Sequence, residues 1–124
     1  RVREANVYSE IVPWQETGQL LTRRPKAIIL SGGPNSVYDA GAPTLPEEIL
    51  TAGVPLLGIC YGMQLMTHLL GGKVAPAAAR EYGHARLRVL RTADPLWHTL
   101  PATMTVWMSH GDRIDRLPPH FVAL

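Results

Sequence analysis

The residue best suited to covalent chemistry is Cys60, the only cysteine in the 124-residue sequence. Gly58 and Gly62 flank it two residues away on either side, which is the Gly-x-Cys-x-Gly spacing of a nucleophile elbow. Such an elbow needs glycines because a strand that turns sharply into a helix leaves no room for side chains at the flanking positions. The spacing alone leaves two interpretations open: a catalytic nucleophile or a buried structural cysteine.

The elements that would position this thiol are a buried strand and a helix. The compact apolar run that opens with Pro55 is typical of a strand covered on both faces. Apolar residues then fall at helical spacing over residues 64–70, and Gly71 and Gly72 follow as a stop signal. A thiol between the two lies at a helix N-terminus, whose partial positive charge and unpaired N–H groups favour the nucleophilic thiolate.

The remaining segments alternate between strand and helix patterns. Thr44 and Glu47 have the spacing of a capping box and predict a helix that ends near residue 52. Strands are predicted at residues 8–13, 26–31, 85–91, 103–108 and 121–124. The end of a helix is predicted at residues 1–7, a surface helix at 16–24, and a single turn after Asp94. This alternation predicts an α/β layered domain with a mainly parallel central sheet and flanking helices.

Composition excludes several classes of protein. Hydrophobic residues make up 46% of the chain, which argues against a disordered tail, and no apolar run is long enough to span a membrane. Twelve basic and 10 acidic residues give a net charge of +2, too little for a nucleic-acid footprint. The single cysteine fits a reducing, cytoplasmic environment. The spacing of the histidines does not indicate a metal site.

Several motifs can be taken together with the elbow. They are Ser31-Gly32-Gly33-Pro34-Asn35-Ser36-Val37, Gly58-Ile59-Cys60-Tyr61-Gly62-Met63-Gln64, Arg80-Glu81-Tyr82-Gly83 and Val106-Trp107-Met108-Ser109-His110-Gly111-Asp112. In this order they closely resemble the class I (triad) glutamine amidotransferases, and specifically the glutaminase domains of the GMP synthase branch. The resemblance covers nearly all of the chain and implies a flavodoxin-like fold.

The resemblance also implies roles for individual residues. Cys60 would attack the side-chain amide carbon of glutamine, release ammonia and leave a thioester for water to hydrolyse. The backbone N–H groups of Gly33 and Tyr61 would form the oxyanion hole. The residues implied to bind glutamine are Gln64, Ser109, His110, Gly111 and Asp112.

A partner domain follows from the same resemblance. Ammonia would pass to an ATP-pyrophosphatase (synthetase) domain, fused or separate, that adenylates XMP and aminates it to GMP. ATP and Mg²⁺ would act in that partner, and no cofactor is expected in this domain. Neither a nucleic acid nor a membrane is implied as a partner, and a homodimer through regions outside this sequence is compatible with the resemblance.

One departure from the family pattern is expected to matter. The catalytic His and Glu of the family belong to a His-Pro-Glu motif, which does not occur in residues 1–124. We therefore expect these residues to be one amidotransferase domain that is incomplete at both ends. Two other functions stay open: a different class I amidotransferase or elbow-cysteine hydrolase, and a non-catalytic binding module whose Cys60 would be inert to affinity labels for glutamine sites.

Overall fold

The computed structural model describes the backbone of residues 1–124 and all side chains except those of residues 78–81 and 110. Two short 3-10 helices come first, at Arg3–Ala5 and Trp14–Arg23. The elements that follow are β1 (Ile28–Leu30), α1 (Glu47–Thr51), β2 (Leu56–Gly58), α2 (Tyr61–Leu69), β3 (Lys73–Arg88) and β4 (Thr103–Arg116). None of the helices in the described part of the chain has the length and apolar character that a membrane span needs.

The parallel pair β1–β2 carries the elbow. Ile28 pairs with Leu56 and Leu30 with Gly58, and the Ile59 N–H continues the pairing by donating to the Leu30 carbonyl at 2.9 Å. Helix α2 packs back on this pair, and a buried core lies between them and α1. Its members are Ile28, Leu45, Ile49, Tyr61 and Leu65. The two predicted strands and the predicted helix after the cysteine are therefore confirmed, but burial of the strands on both faces is not, because Ile29 and Leu57 are each 46% exposed.

A long antiparallel ribbon, β3–β4, forms the second sheet. Its register runs from Lys73 opposite Arg116 to Arg88 opposite Thr103, with an irregularity between Pro76 and Glu81. Both strands are longer than the predicted 85–91 and 103–108, because pairing across the ribbon supplies backbone hydrogen bonds where the sequence does not alternate. As a result residues 109–112 lie inside β4, and not in a loop after it.

Two predicted strands are wrong. Residues 8–13 form no strand, and Ile11 within them is 91% exposed. Residues 121–124 also lie outside any strand, and Phe121 is 46% exposed. In both segments the local pattern suits a strand, but the structure places no partner strand beside them to complete the hydrogen bonds. The predicted helix at 16–24 is present as the 3-10 helix Trp14–Arg23.

The predicted capping box is wrong as well. Helix α1 begins at Glu47 with Pro46 as its N-cap residue, and no side chain caps it. A proline disfavours helical geometry in the residue before it, so Leu45 cannot belong to a helix that begins after Thr44. The predicted turn after Asp94 is confirmed, because the Asp94 carboxylate accepts the Leu96 N–H at 2.9 Å.

Candidate active site

Cys60 occupies the sharp turn between β2 and α2 that the glycine spacing predicted. Its backbone has φ 50° and ψ −113°, and its side chain is exposed. A non-glycine residue with positive φ is strained by about 1–3 kcal/mol, and such strain persists only where the surrounding structure enforces it. The turn therefore presents the thiol outward at the first turn of α2, as a nucleophile elbow does.

The flanking glycines enforce this geometry. A Cβ atom on Gly58 would lie 2.7 Å from both the N and the Cα of Met63. A Cβ atom on Gly62 would meet the backbone of Leu30, 2.6 Å from its carbonyl carbon. Since these neighbours are backbone atoms, no side-chain rotation could relieve either clash. The helix approaches both strands so closely only because both positions are glycine.

The loop after β1 lies directly beside the elbow. The Gly62 N–H donates to the Ser31 carbonyl at 3.2 Å, which ties the start of α2 to this loop. A Cβ atom on Gly32 would stand 3.3 Å from the Cβ and 4.0 Å from the Sγ of Cys60. A Cβ atom on Gly33 would stand 3.7 Å from Cγ of Tyr61. The structure thus brings Gly33 and Tyr61, the expected oxyanion-hole residues, side by side next to the thiol.

Tyr61 is fixed by its buried side chain. The residue is 5% exposed, and its hydroxyl donates to the Pro43 carbonyl. Burial raises the pKa of the Tyr61 hydroxyl, and the negative charge of Asp39 adds to the effect. As the first residue of α2, Tyr61 has a backbone N–H that no intrahelical acceptor can reach. This N–H is therefore available to an oxyanion.

The expected glutamine-binding residues fall into two groups. Gln64 is 6% exposed, and its Nε2 donates to the backbone carbonyl of Asp112 at 3.1 Å. Gly111 and Asp112 are half-buried in β4, whereas Ser109 is exposed opposite Tyr82. The structure therefore joins Gln64 to Asp112 and leaves Ser109 open to solvent. The side chain of His110 lies outside the described residues.

Ser36 is a residue of this region to which the sequence assigned no role. Its hydroxyl donates to Oδ2 of Asp112 at 2.6 Å, although the two residues are 76 positions apart. Ser36 belongs to the glycine-containing motif after β1, so its proximity to the site could be anticipated from that motif. Its contact with Asp112 could not be anticipated, because nothing in the sequence indicates that the loop meets β4.

Four histidines have described side chains, and the contacts that fix them do not include Cys60. The rings of His68 and His84 stack edge-on against Tyr38 and Trp107, each with a centroid separation of 5.3 Å. The other two lie in connections: Nδ1 of His98 is 2.9 Å from the Pro95 carbonyl, and His120 has φ 67°. No cluster of three or more potential metal ligands occurs among the residues with described side chains.

Comparisons of sequence support the family that the motifs indicate. The family model described as glutamine amidotransferase class-I matches residues 1–124. A glutamine-hydrolyzing GMP synthase from Thermomicrobium roseum is 58% identical over 100% of this chain and 24% of the relative. The corresponding protein from Enterococcus faecalis is 54% identical over 98% of this chain and 23% of the relative. The chain thus spans about a quarter of the length of the curated relatives it matches.

Solved structures support the fold. The crystal structure of a candidate GMP synthase subunit from Thermoplasma acidophilum has a TM-score of 0.71 and 30% identity, covering 95% of this chain and 59% of the other. A glutamine amidotransferase from Thermotoga maritima has a TM-score of 0.70 and 25% identity, with coverage of 95% and 55%. These similarities confirm the predicted α/β amidotransferase fold. The chain belongs to the class-I glutamine amidotransferase family.

Proposed function

We propose that this chain is the glutaminase part of a glutamine-hydrolysing GMP synthase. The observation that carries the proposal is the strained, exposed Cys60 at the start of α2, with Gly33 and Tyr61 beside it. Identities of 58% and 54% to glutamine-hydrolyzing GMP synthases support this branch of the family over its other members.

The chemistry begins at the thiol of Cys60. Its thiolate adds to the side-chain amide carbon of glutamine, and the carbonyl oxygen becomes an oxyanion held by the N–H groups of Gly33 and Tyr61. The carbon–nitrogen bond then breaks, and the nitrogen leaves as ammonia after it gains a proton. Water hydrolyses the remaining thioester, which releases glutamate and restores the thiol. The proton transfers need a general acid–base, which we propose is the His–Glu pair of a His-Pro-Glu motif beyond residue 124.

Substrate binding is proposed at the junction of α2 and β4. Because Nε2 of Gln64 donates to the Asp112 carbonyl, Oε1 of Gln64 is the atom that we assign to the substrate. The segment from Ser109 through His110 and Gly111 to Asp112 would hold the amino-acid end of glutamine, mainly through backbone groups. A strand is suited to this because it offers N–H and C=O groups at a fixed spacing.

The acceptor of the ammonia is proposed to be a synthetase domain, an ATP pyrophosphatase that converts XMP to GMP. The chain spans only about a quarter of the GMP synthase relatives, so most of such an enzyme would lie in other segments. ATP and Mg²⁺ would act in that domain.

Substitution of the nucleophile tests the proposal in the complete enzyme. Cys60→Ser and Cys60→Ala should abolish GMP synthesis from glutamine and leave synthesis from added ammonia intact, because free ammonia bypasses the thioester. If ammonia did not rescue the variants, Cys60 would be a structural residue. Glutamine hydrolysis that did not respond to XMP and ATP would favour a different amidotransferase or elbow-cysteine hydrolase. A Cys60 inert to glutamine-site affinity labels would favour a non-catalytic binding module.

A further inference from the structure

We propose that Ser36 and Asp112 are positioning residues: together they fasten the loop after β1 to β4 and so keep Gly33 in place beside the substrate. The loop, residues 31–39, is defined here as the glycine loop. The proposal rests on the proposed glutaminase function and extends it to a residue pair outside the elbow. Ser36 itself has no assigned part in the chemistry.

The first step is the contact between the two side chains. The Ser36 hydroxyl donates to Asp112 Oδ2 at 2.6 Å, a distance typical of a charge-assisted hydrogen bond. Both residues are half-buried, so water competes for this bond less than it would at an open surface. The Ser36 N–H is engaged separately and donates to Asp39 Oδ2 at 2.8 Å. The backbone and the side chain of Ser36 are thus both fixed.

Asp112 extends the connection to α2. Its backbone carbonyl accepts Nε2 of the buried Gln64 at 3.1 Å, while its carboxylate accepts Ser36. One residue therefore joins the glycine loop, β4 and the elbow helix. Asp112 lies where the ribbon is irregular. It pairs with Pro76, and the register shifts between Pro76 and Glu81. Where the ladder is interrupted, side-chain bonds must supply the restraint that strand pairing gives elsewhere.

A second contact holds the same loop to the ribbon. The Tyr38 hydroxyl donates to the Val74 carbonyl at 2.7 Å, and Val74 is 2% exposed. The Tyr38 ring also meets the His68 ring of α2 in an edge-to-face contact. The loop is consequently held at its C-terminal half by Ser36 and Tyr38. Ser36 is the nearer of the two to Gly33, only three residues away.

The functional consequence concerns the placement of the Gly33 N–H. Oxyanion donors act only when they are held within about 0.5 Å of the productive position, and a misplacement of about 1 Å can cost about a hundredfold in rate. The glycine loop is neither helix nor strand, so its own backbone bonds do not fix it to that tolerance. Without the Ser36–Asp112 bond, Gly33 would be held on one side by the bond from the Gly62 N–H to the Ser31 carbonyl, and on the other side the next contact to the ribbon would be that of Tyr38, further along the loop.

The test uses the complete enzyme with Ser36→Ala, Asp112→Ala, the double variant and Ser36→Thr. Ser36→Ala should lower kcat for glutamine hydrolysis by about 10- to 100-fold, with a much smaller change in KM, because the oxyanion donor and not the substrate contact is displaced. GMP synthesis from ammonia and alkylation of Cys60 by iodoacetamide should stay at wild-type rates. Ser36→Thr, which keeps the hydroxyl, should recover most of the lost kcat.

The double variant separates coupling from independent effects. If the two side chains act through their mutual bond, Ser36→Ala should cost little further kcat once Asp112 is alanine. The matched control is Ser9→Ala, which removes a surface hydroxyl that accepts from Arg3 Nε at 3.3 Å and should leave kcat unchanged. Thermal unfolding of every variant gives the fraction of folded protein at the assay temperature, and each kcat is calculated for that fraction.

Several results would overturn the role of this pair. They are a wild-type kcat in Ser36→Ala, fully additive losses in the double variant, and a defect that disappears once the rates are corrected for folded protein. A Ser36→Ala defect shared by ammonia-dependent synthesis would equally exclude it. If Cys60→Ser removes glutaminase activity while Ser36→Ala does not affect it, only the positioning role fails. If Cys60→Ser leaves the activity intact, the proposed function itself fails.

Discussion

The substitution Gly62→Ala tests whether close backbone approach builds the elbow. The new Cβ would lie 2.6 Å from both the carbonyl carbon and the Cβ of Leu30, whereas ordinary contact begins at 3.4 Å. The Leu30 carbonyl oxygen would be closer still, so restoring ordinary contact requires α2 and β1 to separate by more than about 0.8 Å, because the obstructing atoms include backbone. Such overpacking costs about 1–3 kcal/mol, and alanine regains at most about 1 kcal/mol of helix propensity. Because the clash involves backbone atoms, the upper part of that cost applies, and a net loss of about 1–2 kcal/mol in the free energy of unfolding is expected.

The same separation should affect the chemistry. It would stretch the 3.2 Å bond from the Gly62 N–H to the Ser31 carbonyl and move Cys60 away from the glycine loop. A displacement approaching 1 Å corresponds to about a hundredfold loss of kcat. The assay is glutamine hydrolysis and urea unfolding of the complete enzyme, with ammonia-dependent GMP synthesis as the reference for the intact synthetase.

A matched glycine provides the control. Gly18 lies exposed in the 3-10 helix Trp14–Arg23, and a Cβ there would meet no atom within 4 Å. Gly18→Ala should therefore be neutral or raise stability slightly, by restricting the unfolded chain. If Gly62→Ala had the same free energy of unfolding and the same kcat for glutamine hydrolysis as Gly18→Ala, close contact between α2 and β1 would not determine the elbow, and the reasoning would be refuted.

Three further predictions concern the surroundings of the site. Gly33→Val should lower glutamine turnover about a hundredfold, because the new side chain would crowd the oxyanion. Stability should be nearly unchanged, because a Cβ at Gly33 meets Tyr61 only at 3.7 Å. Normal turnover by the folded variant would show that the loop is not part of the site. Burial, and secondarily the charge of Asp39, raise the pKa of Tyr61 above 10.0, so the free energy of unfolding should fall as pH rises through 10. Tyr61→Phe should make the free energy of unfolding, measured in urea, less dependent on pH in this alkaline range. An unchanged pH dependence would show that Tyr61 is not its cause. Lys73 lowers the pKa of Asp115 below 3.8 through its hydrogen bond and its positive charge, and Arg113 adds to the effect. The Lys73–Asp115 ion pair therefore stabilises the fold above that pH, and its contribution disappears as pH falls through the lowered pKa. Lys73→Ala should therefore reduce the acid dependence of unfolding, and an identical acid limb would show that the pair contributes nothing.

The sequence by itself determined the geometry of the elbow. Gly58, Cys60 and Gly62 interact with residues close in the chain or on the adjacent buried strand, so their spacing carries the geometry. The apolar runs around Ile28 and Leu56 likewise indicated the two strands of the parallel pair, because continuous apolar runs are typical of parallel strands, although Ile29 and Leu57 are exposed on one face. Motifs that combine these local features were specific enough to identify the family.

Tertiary structure decided which segments meet. The pattern at residues 8–13 suits a strand, yet a strand exists only where a partner completes its hydrogen bonds, and here none lies beside it. Conversely, β4 continues through residues 109–112 because β3 pairs with it across irregular sequence. The bond between Ser36 and Asp112 joins residues 76 positions apart, and a contact of that range depends on how the loop and the ribbon pack. Local spacing specifies backbone geometry, whereas long-range pairing is selected by the packing of the whole domain.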